Sequence, residues 1–313
     1  MVLAKLKTNI RNSPPVVGLE KAAQRIILPG FEGLSLYEVS IFLWEGFQKG
    51  AINTRSASMS FKFFLALFPG IIFLFTLIPY VPVENFREQL LMQLETFLPN
   101  EAYMLTKTTI EDLITNQRGG LLSFGFLLTM YFATNGINAM IGAFNQSHHI
   151  TEKRNLLSQR LISIALIFIL AGLVMAAVSL IIFGKMTLSL LLEKGILESK
   201  VSYYLLNGSN WLVILALFYF SISFIYYLGA IKRKQWRFLS AGSTLAAVLT
   251  IITSLGFAWY VNNFGQFNKL YGSIGTLIVI MLWINLNSTI LLIGFELNAS
   301  IKRAKGEKMN SIN

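Results

Sequence analysis

The feature that most constrains this chain is a series of six apolar stretches, each of about 20 residues or more. A helix of that length crosses the hydrocarbon core of a bilayer, where lipid offers no partner to an open backbone. Only 13% of the 313 residues are charged, whereas an average soluble domain carries about 25%. The sequence therefore predicts an all-α polytopic membrane protein with six transmembrane helices, at about 57–80, 120–141, 161–183, 209–230, 239–261 and 272–297.

The basic residues fall mostly into one of the two sets of connecting segments. Of the 26 Lys and Arg residues, 19 lie in the N-terminal part through Lys62, in the 142–160 and 231–238 loops, and in the tail from Lys302. Cytoplasmic loops carry such an excess, so we expect both termini in the cytoplasm. A basic inner rim also attracts anionic lipids. The net charge of +11 thus indicates membrane lipids as partners and does not require nucleic acid.

Two further segments are predicted to be helical without spanning the membrane. Residues 34–50 carry apolar side chains around most of a helix, which either lies in the membrane interface or packs under the bundle. Residues 81–119 show apolar residues at helical spacing and form an outer amphipathic segment that caps the bundle or moves as a lid. The predicted organisation is a cytoplasmic tail at 1–33, a six-span membrane domain at 34–301 and a second tail at 302–313.

Several short motifs accompany the first and last spans. The first span contains Leu67-Phe68-Pro69, and the last span and its approach contain Tyr271-Gly272, Trp283, Gly294, Glu296, Leu297 and Asn298. With Asn138 and Asn145 in the second span, this pattern resembles the YihY/virulence factor BrkB family of bacterial inner-membrane proteins over roughly 51–301. The fourth span departs from the family, because "IYYLGAIKRK" stands where a Tyr-Arg-x-x-Pro is usual.

The resemblance implies a six-span protein of the bacterial inner membrane. It favours transport or membrane maintenance linked to envelope lipids. The family was formerly labelled ribonuclease BN, and the resemblance implies that this label is a misassignment and that the chain is not a ribonuclease.

Polar side chains recur on single faces of the first, second and sixth spans. Ionisable groups at membrane depth usually face the bundle interior. The predicted cleft or substrate-contact residues are Arg55, Ser58, Lys62, Pro69, Gly70, Asn135, Asn138, Asn145, Asn285, Thr289 and Glu296. The alternative for the asparagines is hydrogen bonding between helices, and Lys62 is placed to reach the inner interface.

Two of these features have specific alternatives. Glu296 either pairs with Lys62, Arg55 or Lys302 and holds the bundle together, or acts as a proton- or cation-responsive carboxylate. Pro69-Gly70, midway along the first span, either interrupts the helix at a binding site or kinks it.

Catalytic and metal-binding patterns are absent from the sequence. There is no cysteine, and adjacent His148 and His149 point in different directions on a helix, so we expect no metal site and no cofactor. No phosphate-binding glycine loop or nucleophile elbow occurs, and we expect a protein that is not an enzyme. The leading hypothesis is a transporter-like protein that moves an anionic lipid or lipid-linked solute through a cleft between spans one, two and six. The alternatives are an ion- or proton-coupled antiporter that uses Glu296, and a non-catalytic scaffold for envelope maintenance.

Overall fold

The computed structural model is mostly helical over the part of the chain that it describes. Those residues are 14–49, 51–77, 112, 116, 118–147, 155–193, 199–231, 237–264 and 274–310, and no strand occurs among them. The helices are α1 (Pro14–Arg25), α2 (Leu36–Lys49), α3 (Ile52–Leu77), α4 (Gly119–Asn145), α5 (Leu156–Glu193), α6 (Ser199–Gly229), α7 (Ala241–Phe264) and α8 (Ile274–Asn310). Within the described ranges, six helices, α3 to α8, are long and apolar enough to cross a membrane. The predicted all-α, six-span fold is confirmed.

The helices extend beyond the predicted spans at both ends of the chain. Helix α8 continues to Asn310, because its last residues are good helix formers and Arg303 pairs with Glu307 one turn later at 2.8 Å. Helix α1 lies inside the range predicted as an N-terminal tail and starts with two prolines, which are well tolerated in a first turn. Most of the outer segment at 81–119 lies outside the described residues, as does Tyr271-Gly272.

Helix α3 is continuous through Pro69 and Gly70. The structure therefore does not show the interruption that was one of the two interpretations of this pair. A single proline removes one backbone hydrogen bond, and the apolar residues on either side keep the helix together in the membrane, where an open backbone is costly. Pro69 itself is buried.

The chain divides into two compact units. The first comprises the described residues within Met1–Ser56, Ile141–Thr253 and Thr289–Asn313, and the second those within Ala57–Met140 and Ser254–Ser288. In the first unit, α5 packs along α6, and a buried apolar cluster joins the N-terminal segment to the end of α8. This cluster consists of Phe31, Leu34, Val39, Leu297, Ile301 and Ala304.

The second unit contains a close contact between α3 and α4. A Cβ atom at Gly136 would lie 3.0 Å from the ring of Phe63, and one at Gly125 would lie 3.5 Å from the backbone of Phe73. Small residues allow helices to approach closely in membranes, where packing replaces the hydrophobic effect between helices. Also within this unit, Trp283 Nε1 donates to Ser254 Oγ at 3.3 Å, which links α8 to α7.

Candidate functional site

A buried carboxylate lies at the centre of the first unit. Glu296 of α8 has no exposed surface, and its Oε1 accepts a hydrogen bond from Arg55 Nη1 of α3 at 2.8 Å. Its Oε2 accepts from Ser147 Oγ, just beyond the end of α4, at 2.7 Å. Arg55 is 4% exposed and Ser147 is 2% exposed. These three residues, the Glu296 cluster, join the starting end of α3 and the segment after α4 to α8.

The Glu296 cluster is costly to bury, so its presence requires an explanation. Removing two charges from water costs several kcal/mol per ion. The attraction between the charges offsets this cost only where the geometry is good and additional hydrogen bonds form. Both carboxylate oxygens are satisfied here. An apolar replacement would pack at lower cost, and therefore a buried pair in a membrane bundle is by default a candidate functional site.

The residues on both sides of Glu296 contact three further helices. Gly294 lies against α7, since a Cβ atom there would be 2.6 Å from the carbonyl oxygen of Gly242 and 2.5 Å from the hydroxyl of Tyr226. The ring of Phe295 stacks on Phe144 of α4 with centroids 4.2 Å apart. Tyr226 of α6 packs edge-on against Phe295 and donates its hydroxyl to the carbonyl of Leu291 at 2.7 Å.

Asn298 completes this segment by capping α7. Its Oδ1 accepts a hydrogen bond from the backbone N–H of Gly242 at 2.8 Å, and its Nδ2 donates to Ser240 Oγ at 2.9 Å. The N–H groups in the first turn of a helix have no partner within that helix, so the amide satisfies one of them. Together with Leu297 in the N-terminal cluster, every residue of Gly294–Asn298 contacts another segment of the first unit. We call this segment the closing motif.

The asparagines of α4 lie in partly buried positions. Asn145 Nδ2 donates to Gln159 Oε1 of α5 at 3.4 Å, while Asn145 Oδ1 is buried without a hydrogen-bond partner among the described residues. Asn135 and Asn138 are half-buried, as are Asn285 and Thr289 of α8, each of which takes part in an interaction. A hydrogen bond between helices is thus present at Asn145, which was the alternative interpretation for these residues.

The remaining candidates on α3 differ in exposure. Ser58 and Lys62 are exposed, whereas Arg55 is buried, although the spacing predicted one shared face. Gly70 is half-buried, and among the described residues only Thr129 of α4 lies within reach of a Cβ atom, at 3.9 Å. Arg55, Asn145, Thr289 and Glu296 belong to the first unit, and the other candidates belong to the second.

Of the candidates, Arg55 and Glu296 are in direct contact, and Arg55 is one of the three cations predicted as partner of Glu296. Ser147 and Gln159 were not among the residues predicted from the sequence. Ser147 follows Asn145 by two residues at the end of the polar stripe of the second span. Steps of three or four from Asn145 reach 148 and 149, so the stripe gives no signal for Ser147. Gln159, near the start of the next span, carries no signal either.

A cavity of about 410 Å³ opens in the first unit next to the start of α3. It is lined by Phe47, Ala51, Ile52, Asn53, Thr54 and Ile293. Over the described part of the chain, no group of three His, Asp or Glu side chains is placed to hold a metal ion.

Comparison with known proteins places the chain among bacterial membrane proteins. The model of the family described as virulence factor BrkB matches residues 43–311. The ribonuclease-like protein YfkH of Bacillus subtilis (strain 168) is 31% identical over 271 residues, which cover 84% of this chain and 96% of YfkH.

More distant relatives are named membrane proteins. A UPF0761 membrane protein of Aggregatibacter aphrophilus (strain NJ8700) is 24% identical, over 85% of this chain and 92% of its own length. A second, from Haemophilus influenzae (strain 86-028NP), is 22% identical over 86% and 96%. No solved structure matches the chain. The match over most of the chain, together with the six membrane helices, shows that the protein belongs to the virulence factor BrkB family.

Proposed function

We propose that this protein is a transporter of the bacterial inner membrane that moves an anionic lipid or a lipid-linked solute along α3, α4 and α8. The observation that carries the proposal is the Glu296 cluster, a fully buried carboxylate paired with a buried arginine. Charged groups of this kind in membrane helices commonly mark substrate or ion pathways. In this proposal the cluster fixes the inner end of the path.

The partly buried asparagines supply the second element of the proposal. Asn135 and Asn138 lie half-buried on α4, and Asn285 and Thr289 lie half-buried on α8. Amide and hydroxyl groups can exchange hydrogen bonds with a head group as it leaves water. Exposed Lys62 on α3 would attract a phosphate at the membrane surface, where a cation contributes about 1 kcal/mol.

We also propose that the protein is not an enzyme. The relatives named membrane proteins support it, whereas the ribonuclease-like description belongs to the name of YfkH. The orientation with both termini in the cytoplasm is likewise proposed, from the distribution of basic residues.

Reconstitution in liposomes tests the transport proposal directly. Lipid scrambling and proton flux are measured for the wild type, for Asn138→Leu and for Asn263→Leu. Asn263 is the matched control, because it is exposed on α7 and its Nδ2 donates to the carbonyl of Trp259 at 2.8 Å. We expect scrambling by the wild type, a several-fold loss with Asn138→Leu, and wild-type rates with Asn263→Leu. Equal rates in the two variants, or no scrambling at all, would contradict the proposal.

Two alternatives each rest on a different observation. Proton-coupled antiport is favoured by the buried carboxylate of Glu296, and it predicts proton flux that Glu296→Gln abolishes. A scaffold is favoured by the closing motif, whose contacts hold α3, α4, α6 and α7 to α8. The scaffold predicts neither scrambling nor proton flux in a correctly folded sample.

A further inference from the structure

Five large apolar side chains near the N-terminus point away from the protein. Ile26, Ile27 and Leu28 are 44%, 60% and 40% exposed, and Ile41 and Trp44 of α2 are 49% and 63% exposed. All five belong to the first unit. We call them the N-terminal apolar surface.

Hydrogen bonds connect this surface to the rest of the N-terminal region. The backbone N–H of Leu36 donates to the carbonyl of Ile26 at 2.8 Å, and the hydroxyl of Tyr37 donates to Glu20. Ile27 and Tyr37 also border one cavity of about 450 Å³. These contacts place the Ile26–Leu28 segment beside the first turn of α2.

A tight turn keeps Ile26–Leu28 on the outside. The N–H of Phe31 bonds to the carbonyl of Leu28 at 3.1 Å, with Pro29-Gly30 at the centre and Gly30 at a φ of +89°. A type II turn needs this left-handed residue, and proline is common before it. The turn directs Phe31 and Leu34 into the buried cluster with α8, so the preceding apolar residues stay exposed.

Exposed cations accompany the apolar side chains. Lys21 and Arg25 are exposed on α1, one turn apart and directly before Ile26. The acids of the same region have partners within the protein. Glu38 caps α2 through Ser35 at 2.7 Å, and Glu32 bonds to Lys305 at 2.6 Å. An apolar surface bordered by basic residues is the arrangement of segments that lie in the interface of an anionic membrane.

We propose that the N-terminal apolar surface inserts into the bilayer interface, with Lys21 and Arg25 on anionic head groups. This assigns a membrane-binding role to residues 20–28, which the sequence predicted to be a tail. Helix α2 then packs against α8 through Val39 and contacts lipid through Ile41 and Trp44. The inference does not depend on transport.

Spin labels test the insertion, since the chain has no cysteine and any introduced one is unique. Ile27→Cys and Ile41→Cys are labelled and reconstituted in vesicles of phosphatidylcholine, with or without phosphatidylglycerol. Collisions with oxygen report the acyl region, and collisions with a nickel chelate report water. Glu307→Cys is the control, because Glu307 is 50% exposed near the end of α8.

We expect a several-fold higher oxygen-to-nickel ratio at Ile27→Cys and Ile41→Cys than at Glu307→Cys. Adding phosphatidylglycerol should raise the ratio at Ile27→Cys, and the Lys21→Glu/Arg25→Glu background should remove that increase. Labels accessible to nickel like the control would overturn the inference, as would labels shielded from both reagents by a protein partner or a second copy. An unchanged ratio in anionic vesicles would overturn the role of the two cations. Monodisperse elution of each variant shows that it has folded.

Discussion

Glu296 is a residue whose two oxygens both accept hydrogen bonds inside the protein. Glu296→Gln removes the carboxylate charge that Arg55 contacts at 2.8 Å. We expect a loss of about 3 kcal/mol, the lower end of the range for breaking a buried pair, because the amide keeps part of the hydrogen bonding. Thermal unfolding in detergent measures this loss.

The pair between Arg303 and Glu307 provides the control for that measurement. Both side chains are at least half exposed at 2.8 Å, and Glu307→Gln should cost about 0–1 kcal/mol. The double variant Arg55→Gln/Glu296→Gln should be less destabilised than the sum of the single variants, since the two side chains contact each other directly. If Glu296→Gln and Glu307→Gln unfolded at the same temperature, a stabilising role for the buried pair would be ruled out.

Asp112 is the only aspartate in the sequence, and this permits a direct titration. Hydrogen bonds from Asn116 and then Arg118 lower the pKa of this exposed carboxyl below its ordinary value. A lowered pKa means that the contacts favour the charged form, and they are lost as the pH falls through that lowered value. Carbon NMR with labelled aspartate should show one signal with a depressed midpoint.

Substitution of the partners of Asp112 should move this midpoint upward. Asn116→Ala and Arg118→Gln each remove one hydrogen bond to the carboxylate. We expect both variants to titrate nearer the ordinary value than the wild type. A wild-type midpoint at the ordinary value would show that these contacts do not form in solution.

At the scale of the elements, the contact of α7 with α8 depends on two glycines. A Cβ atom on Gly242 would overlap the carbonyl oxygen of Gly294 and lie 2.6 Å from the amide of Asn298. Backbone atoms cannot move aside as a side chain does. We therefore expect Gly242→Ala to cost about 3 kcal/mol or more, and to lower the yield of folded protein in fluorescence-detected size-exclusion chromatography.

Gly256 of the same helix is the matched control. Among the described residues, no atom lies within 4 Å of the position that its Cβ would take. Alanine is a better helix former than glycine by up to about 1 kcal/mol, so Gly256→Ala should be neutral or stabilising. If Gly242→Ala and Gly256→Ala changed the yield of folded protein equally, the effect would come from helix propensity and not from the close approach of α7 to α8.

The sequence predicted the elements better than their ends. Long apolar stretches defined all six membrane helices, because a bilayer fixes the length of a span. Helix α8 continues past the predicted end, since the charged residues after Ile301 mark the membrane boundary but do not break a helix. Helix α3 continues through Pro69 for a similar reason: the local signal for a break is weaker than the requirement for hydrogen bonding in lipid.

At the scale of the whole molecule, the contacts of the site were the least predictable feature. The spacing of polar residues places Glu296 on one face of α8. The distribution of basic residues leaves three cations, Arg55, Lys62 and Lys302, as possible partners of Glu296. Arg55 and Glu296 are 241 residues apart in the sequence. Their pairing depends on how the helices that carry them pack, which no local pattern encodes. The same holds for the contact between Gly242 and Gly294, and for the exposure of Lys62 despite its spacing from buried Arg55.

The orientation of the bundle in the membrane is testable with the same cysteine-free background. Arg118 is half exposed ahead of α4, and Glu307 is half exposed near the end of α8. The distribution of Lys and Arg predicts opposite sides of the membrane for these positions. In intact cells, an impermeant maleimide should label Arg118→Cys, and it should label Glu307→Cys only after permeabilisation. The reverse pattern would invert the proposed orientation.

The position of the closing motif late in the chain has a consequence for biosynthesis. Arg55 leaves the ribosome 241 residues before the carboxylate that neutralises it, and the capping amide of α7 also follows α7 by tens of residues. The first five membrane helices therefore enter the bilayer before Glu296 and Asn298 can make these contacts. A transcript that stops ahead of Gly294 would release a nascent protein that lacks both the Glu296 carboxylate and the Asn298 cap, and we expect membrane quality-control proteases to degrade it.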